Sequence, residues 1–376
     1  MHKTRMYKYG HGGNAVYEEG RDNIVDLSAN INPLGMPIGV RDAISRDIGN
    51  CDRYPDSACS KLRERLAEYE RVAPEMLFCG NGASDIIFRL PKATQAKRTL
   101  VAAPTFSDYE RASISFGADV CRHQLLSSNG FASGKGFEET LAMCTPDLVF
   151  LCNPNNPTGV ATSTRLIGSL LKCARESNTI VVVDECFLDF VENPDAFTSK
   201  SFVQEHRNLV IIKAFTKIFA MPGIRLGYAI CSDKKLIDSL YFHGADWPVS
   251  NLAQTAAIEA LAGADDYIKQ TVRYVSQERE TMKDALARLG YVVFDSAANY
   301  VFFRNPFDFD LGRRLDEKGI RIRECGDYHG LDGSFYRAAI STKENNSKLI
   351  SAMEYLMQSA ECKWSEVRGQ GLVVSG

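Results

Sequence analysis

The chain has 376 residues, 45% of them hydrophobic and 24% charged, and a net charge of −3 from 44 Lys+Arg against 47 Asp+Glu. That balance excludes a disordered chain, offers no basic block for nucleic acid or an anionic membrane, and leaves no run near the ~18 apolar residues of a membrane span. The length exceeds what one hydrophobic core usually supports, so we expect a large domain joined to a smaller one.

The opening Met1 to Gly10 is basic, but no apolar run follows it, so it does not read as a secretion signal. Further on, Lys61 to Arg71 has the spacing and charge of a helix. Gly80-Asn-Gly-Ala83-Ser84, ahead of Ile86-Ile-Phe, reads as a glycine turn opening a helix. Thr99 to Ala102, Leu148 to Cys152, Ile180 to Val183 and Leu209 to Lys213 are short β-rich apolar runs ending in polar turns, with helical stretches such as Ser163 to Ser177 between them. Such alternation predicts an α/β fold with a mostly parallel central sheet flanked by helices, and ligands at the carboxyl ends of its strands. After Ser250 a long helical pattern runs through Asp266 to Leu289. Tyr291 to Asp295, Tyr300 to Phe303 and Ile320 to Arg323 then read as strands of a smaller α/β domain. From about Cys362 no pattern remains, and a frayed end is expected. The 11 cysteines lack any Cys-x-x-Cys pair, and Cys79, Cys152 and Cys231 sit in apolar runs. This reads as reduced thiols in a cytoplasmic protein; the histidines show no metal-ligand spacing, so no metal is expected.

The chemically loaded residues fall at strand ends. Asn153-Pro-Asn-Asn156-Pro-Thr-Gly159 is a polar turn locked by two prolines. Asp184 ends the run Ile-Val-Val-Val, Lys217 follows the next strand, and Arg225 comes eight residues later. Alone, Lys217 could be a solvated surface amine, Asp184 a helix cap and Tyr109 a helix-surface tyrosine. Together they supply the parts a pyridoxal phosphate site needs: an amine for the aldehyde, a carboxylate for the pyridine nitrogen, helix-start N–H groups and a cation for the phosphate.

In this order the motifs resemble the fold-type I pyridoxal phosphate enzymes, specifically the class I and II aminotransferase family, over about residues 10 to 357. The resemblance implies an amino-terminal segment (1–45) packing with the small domain and the active site, a large cofactor-binding domain (46–250) and a small carboxyl-terminal domain (251–376). It implies Lys217 as the Schiff-base lysine and Asp184 as partner of the pyridine nitrogen. Asn156 would bond the ring hydroxyl and Tyr109 would stack on the ring. Ala83, Ser84, Thr216 and Arg225 would hold the phosphate, joined by Tyr54 across the interface of a homodimer with shared sites.

Two compact subfamilies compete, the histidinol-phosphate aminotransferases and the threonine-phosphate decarboxylases. His11-Gly-Gly-Asn14, Asp26-Leu-Ser-Ala-Asn-Ile-Asn32-Pro-Leu-Gly35 and Phe187, where aminotransferases usually carry tyrosine, are similar to the second. That likeness implies a phosphorylated amino-acid substrate, its phosphate on His11, Asn32 and Arg323 and its carboxylate near Arg337, with Asn156 also among the substrate-binding residues. Transamination of a phospho-substrate stays open, as does a non-catalytic cofactor-binding regulator, although the chain has no DNA-binding module.

Overall fold

The computed structural model describes residues 12–13, 24–134 and 136–370, with side chains as far as 358. Its first part runs through β1 (Val25–Asp26), α1 (Ile38–Asp47), α2 (Ser60–Glu70), β2 (Leu77–Gly80), α3 (Gly82–Ala93), β3 (Arg98–Ala103), α4 (Ser107–Phe116), β4 (Asp119–Gln124) and α5 (Gly136–Cys144). Next come β5 (Leu148–Cys152), α6 (Thr164–Glu176), β6 (Ile180–Asp184), β7 (Leu209–Ala214), the short α7 (Phe215–Ile218) and β8 (Gly227–Ile230). The chain continues as α8 (Lys234–Phe242), α9 (Asn251–Ala262), α10 (Ala264–Arg288), β9 (Val292–Phe294) and β10 (Tyr300–Arg304), and closes with α11 (Leu311–Asp316), β11 (Ile320–Arg321), β12 (Arg323–Glu324), β13 (Phe335–Ala339) and α12 (Lys343–Gln370).

A seven-stranded sheet in the order β2-β8-β7-β6-β5-β3-β4 lies at the centre. Its pairings are parallel from β4 through β7, and β8 alone runs against its neighbours. Strands β5 and β7 are buried at every position. Apart from Lys213 they are apolar, because the pleat sends alternate side chains to opposite faces and helices cover both. Val149, Leu151, Val181, Val183, Leu209 and Ile211 join one core with Leu62 and Leu66 of α2 and Ile167, Leu170 and Leu171 of α6. Phe150, Val182, Val210 and Ile212 join the other with Ile86 and Leu90 of α3 and Tyr109 and Ala112 of α4. Each such buried aliphatic side chain contributes about 1.5–3 kcal/mol of transfer free energy. Helix α6 shows the local logic: Ile167, Leu170, Leu171 and Ala174 recur at helical spacing, and the Ser163 hydroxyl caps its start by accepting from the Leu166 N–H.

The expected strands are present. In contrast, β2, β4 and β8 carried little signal, since β2 and β8 have four residues each and β4 is a half-buried polar strand at the sheet edge. Ile320 to Arg323, expected as one strand, is two. Residues Ile320 and Arg321 pair in parallel with β1, while Arg323 and Glu324 pair antiparallel with β13 in a four-stranded sheet β12-β13-β10-β9. The break at Ile322 arises because the amino-terminal segment inserts here. Leu27 donates to Arg321 O and accepts from the Ala339 N–H, bridging the two sheets.

The expectation of reduced thiols throughout is corrected at one place: Cys121 of β4 and Cys144 at the end of α5 form a disulfide. Twenty-three residues apart, they meet only because α5 folds back on the edge strand. The other cysteines among the described residues are free. No helix among the described residues is long and apolar enough to cross a membrane.

One face of the main sheet also buries charge. Lys213 of β7 points toward α2, where its Nζ lies 3.4 Å from Glu70 and 3.1 Å from Asp189. Glu70 also takes Lys200 at 2.6 Å and the Tyr228 hydroxyl at 2.5 Å. Burial raises the Glu70 carboxyl, but Lys213 and Lys200 outweigh it and bring the group down to about 2. Glu70→Ala leaves Lys213 with one carboxylate fewer in a buried site and should cost about 3–5 kcal/mol in denaturant unfolding at neutral pH. Because the folded pKa is depressed, Glu70's contribution is complete above the unfolded carboxylate range and is lost as pH falls toward 2, so the gap between wild type and variant should close on acidification.

Candidate active site

The carboxyl ends of β5, β6 and β7 deliver their last residues to one cavity of about 210 Å³, lined among others by Cys152, Asn156, Asp184, Ala214, Thr216 and Lys217. Asp184 is the final residue of β6, and the pleat turns it toward the face carrying α4. There Oδ2 accepts from the Tyr109 hydroxyl at 2.8 Å and Oδ1 from the Cys186 N–H at 3.0 Å. Both partners are neutral, so burial pushes the Asp184 carboxyl up, opposed by hydrogen bonds from Cys186 and Tyr109. A buried carboxylate of this kind gains most from a cationic neighbour on its open side.

Lys217 sits in α7, directly after β7. Burial lowers its pKa first; the positive charges of Arg337 and Arg225 lower it further against the opposing influence of Cys186, to about 8. At pH 7 about one amine in ten is then neutral and nucleophilic, several hundred times more than for an unperturbed lysine. Four residues earlier, Lys213 shifts the other way: burial would lower it, but Asp189 and Glu70 hold it well above its usual range.

The start of α3 forms the cavity's anion-seeking wall. Ala83 and Ser84 line it at the helix amino terminus, and Arg225 lies across that end. Gly82 makes this possible. Its φ is +79°, and a Cβ there would come within 2.5 Å of Arg225 Nη2. Arg225 itself holds a left-handed φ of 60°, a strained conformation of the sort found where geometry serves a ligand. Thr216 lines the same wall.

Of the three asparagines in the proline-locked turn, two hold the turn and one faces the cavity. Asn153 bonds Thr162 and Phe197, and Asn155 bonds Pro104, Thr105 and Thr158. Asn156 lines the cavity and accepts from Arg337 Nη1. Arg337, a buried residue of β13, donates through Nη2 to Ser28 O at 2.8 Å and lies over the Tyr300 ring. Gly12, from the His11-Gly-Gly-Asn14 motif, packs so tightly on Ser28 that a Cβ would meet its carbonyl oxygen at 2.3 Å. Phe187 lines the cavity and packs edge-on against Tyr300. Arg323 lines it on the same side as Tyr328.

Asn32 and Tyr54 stand away from the cavity in this geometry, and Tyr109 lines it from a buried position. Tyr109 lines the cavity but is fully buried, with its ring stacked on Phe150 at 4.9 Å and 9° and its hydroxyl bonded to Asp184, which makes it a second partner of the carboxylate. Phe106, three residues earlier, is a half-buried aromatic ring at the cavity, as is Tyr328. Asn32 does not line the cavity. Its amide donates to Ile218 O at 2.6 Å and Thr271 Oγ1 at 2.8 Å, accepts from the Leu34 N–H, and its own N–H holds Lys217 O. Both amide hydrogens are therefore committed to clamping the Lys217 turn. Asn30 lines the cavity instead, and its Oδ1 is buried without a hydrogen-bond partner, as is Arg337 Nε. His11 lies outside the described residues, as do 371–376 of the expected frayed end. Tyr54 is 81% exposed and stacks on Trp247, away from this cavity. Asn30, Phe106 and Tyr328 were not anticipated; the pairing of Asn30 with Asn32 in one motif was the available signal for the first.

The lowered amine, the buried carboxylate with neutral partners, the helix-start wall and the unpartnered polar atoms fit pyridoxal phosphate with an anionic substrate beside it. The family model for aminotransferase class I and II matches residues 22–353. The threonine-phosphate decarboxylase of Salmonella typhimurium is 32% identical over 94% of this chain and 98% of its own length. An adenosylcobalamin biosynthesis bifunctional protein of Leptospira interrogans is 32% identical over 91% of this chain and 40% of its own length. The crystal structure of the histidinol-phosphate aminotransferase from Clostridium acetobutylicum superposes with a TM-score of 0.82 at 29% identity, covering 89% of this chain and 99% of that one.

In the apoprotein, modification of Lys217 by an aldehyde reagent should rise with pH about a midpoint near 8, while Lys213 stays unmodified over the same range. Peptide mass spectrometry after reductive trapping reads both sites at once, and a midpoint above 10 for Lys217 would contradict the geometry described.

Proposed function

The chain belongs to the class I and II aminotransferase family of pyridoxal phosphate enzymes, and from that membership we propose that it decarboxylates O-phospho-L-threonine or O-phospho-L-serine, yielding the amino-alcohol phosphate linker of cobalamin. The observation that carries the reading is the convergence of Arg337 and Arg323 on the cavity that holds Lys217, two guanidiniums suited to a substrate with two anionic ends. Similarity to the decarboxylase of Salmonella typhimurium favours this chemistry, as does the apolar Phe187 where a phenol would serve transamination.

In this reading Lys217 anchors the cofactor and Asp184 faces its ring nitrogen, with Tyr109 keeping the carboxylate in place. Pyridoxal phosphate, when bound, supplies the electron sink that accepts the electron pair of the bond broken at the substrate's Cα. Phe106 gives the ring an aromatic face and Asn156 reaches its hydroxyl. Ala83, Ser84, Thr216 and Arg225 hold the cofactor phosphate. Arg337, steadied by Ser28 O and Asn156, takes the substrate carboxylate, while Arg323 takes the substrate phosphate. Anchoring both ends fixes the rotation about Cα, and with it which bond is broken. Once the carboxylate has left as CO2, Lys217 delivers a proton to Cα.

The exposed Tyr54, Ile38 and Ile48 favour a homodimer in which Tyr54 reaches the partner's cofactor phosphate. We assign the large cofactor-binding domain to 46–250, the small one to 251–376, and the packing segment to 1–45. A cytoplasmic location goes with this activity and with the free thiols, the Cys121–Cys144 disulfide being the exception.

Holoenzyme given phosphothreonine should release CO2 and the matching amino-alcohol phosphate. No CO2 but 2-oxoglutarate-dependent amine transfer would favour the alternative, a phospho-substrate aminotransferase of the histidinol-phosphate kind. Arg323→Gln removes a charge-assisted contact worth about 1.5–3 kcal/mol, so kcat/KM should fall roughly ten- to a hundredfold. Lys217→Ala should abolish turnover.

A further inference from the structure

Arg323 is bound on the side away from the catalytic cavity as well as lining it. Its Nη2 donates to both carboxylate oxygens of Asp327, at 2.8 and 2.7 Å, and its Nη1 to Glu324 O at 2.6 Å. Asp327 lines a smaller neighbouring cavity and not the one around Lys217; Arg323, Tyr328 and Phe106 form the wall common to both. The turn after β12 creates this arrangement. The Cys325 N–H is tied to Phe335 O and the Tyr328 N–H to Cys325 O, which folds Asp327 back onto the guanidinium four residues earlier. The Arg323 side chain is 13% exposed and that of Asp327 34%, so water screens the pair less than at an open surface.

The reaction assigned above breaks the symmetry of the two arginines. Loss of CO2 removes the anion that Arg337 holds, but the product keeps its phosphate and leaves only by releasing Arg323. We propose that Asp327 is an internal competitor for Arg323, a carboxylate that takes the guanidinium back from the phosphate and so speeds product release. The inference rests on the reading that Arg323 binds the phosphate. Asp327 thus weakens ground-state binding of substrate and product alike, which raises KM without contributing to bond breaking.

The test compares wild-type, Asp327→Asn and Arg323→Gln holoenzymes. Each is titrated with inorganic phosphate and with the amino-alcohol phosphate product by calorimetry, and steady-state decarboxylation is followed in parallel. Asp327→Asn, nearly isosteric, should bind both probes roughly three- to tenfold more tightly, lower KM for phosphothreonine, and lower kcat where release limits the rate. Unchanged or weaker binding in Asp327→Asn would mean that the carboxylate orients Arg323 instead, and the inference falls while the function stands. If Arg323→Gln binds both probes as wild type does, the phosphate lies elsewhere, and the inference falls together with the role given to Arg323. Asp327→Ala, lacking any hydrogen-bond acceptor at that place, must change binding in the same direction as Asp327→Asn.

Discussion

The site depends on lowering the proton affinity of one enclosed amine. For Lys217 burial does most of this, and its cationic neighbours, Arg337 and Arg225, add to it. Four residues back along the chain, in β7, Lys213 is also buried yet firmly charged, because the pleat of β7 directs it to the opposite face among Glu70 and Asp189. The same strand therefore supplies a structural ion on one side and a nucleophile at its end. Residue type decides neither role; the sign of the nearest charges does.

The rest of the cavity is built by freezing its supports. Two of the three turn asparagines are fully occupied by backbone and hydroxyl partners, which leaves Asn156 as the one that meets Arg337. Asp184 is held by Tyr109, which is itself stacked on Phe150 within the core. Each group with an open valence at the cavity is thus backed by another that has none to spare, the condition for holding a ligand in one orientation.

Much of this was legible in the sequence, and the misses have common causes. Apolar runs and proline-locked turns announce strands and their ends, so Asp184, Asn156 and Lys217 could be located from the chain alone. The side-chain direction within a motif could not. Tyr109 and Phe106 share one helix start and both line the cavity, whereas of Asn30 and Asn32 in one extended segment only the folded backbone decides that Asn30 faces it. The split of Ile320 to Arg323 was hidden for a related reason. A run of four apolar and basic residues looks like one strand until a segment from the far end of the chain claims half of it. The Cys121–Cys144 disulfide likewise needs α5 folded onto β4 before its partners are neighbours.

The clamp that Asn32 places on the Lys217 turn joins positions separated by 186 and 239 residues. A chain emerging from the ribosome amino end first holds Asn32 early, but Thr271 follows only 239 residues later. The floor beneath the reactive amine consequently cannot close before Thr271 is present. A growing chain displays Lys217 before it can restrain it, and capture of a reactive aldehyde in a defined orientation belongs to a polypeptide that already holds Thr271.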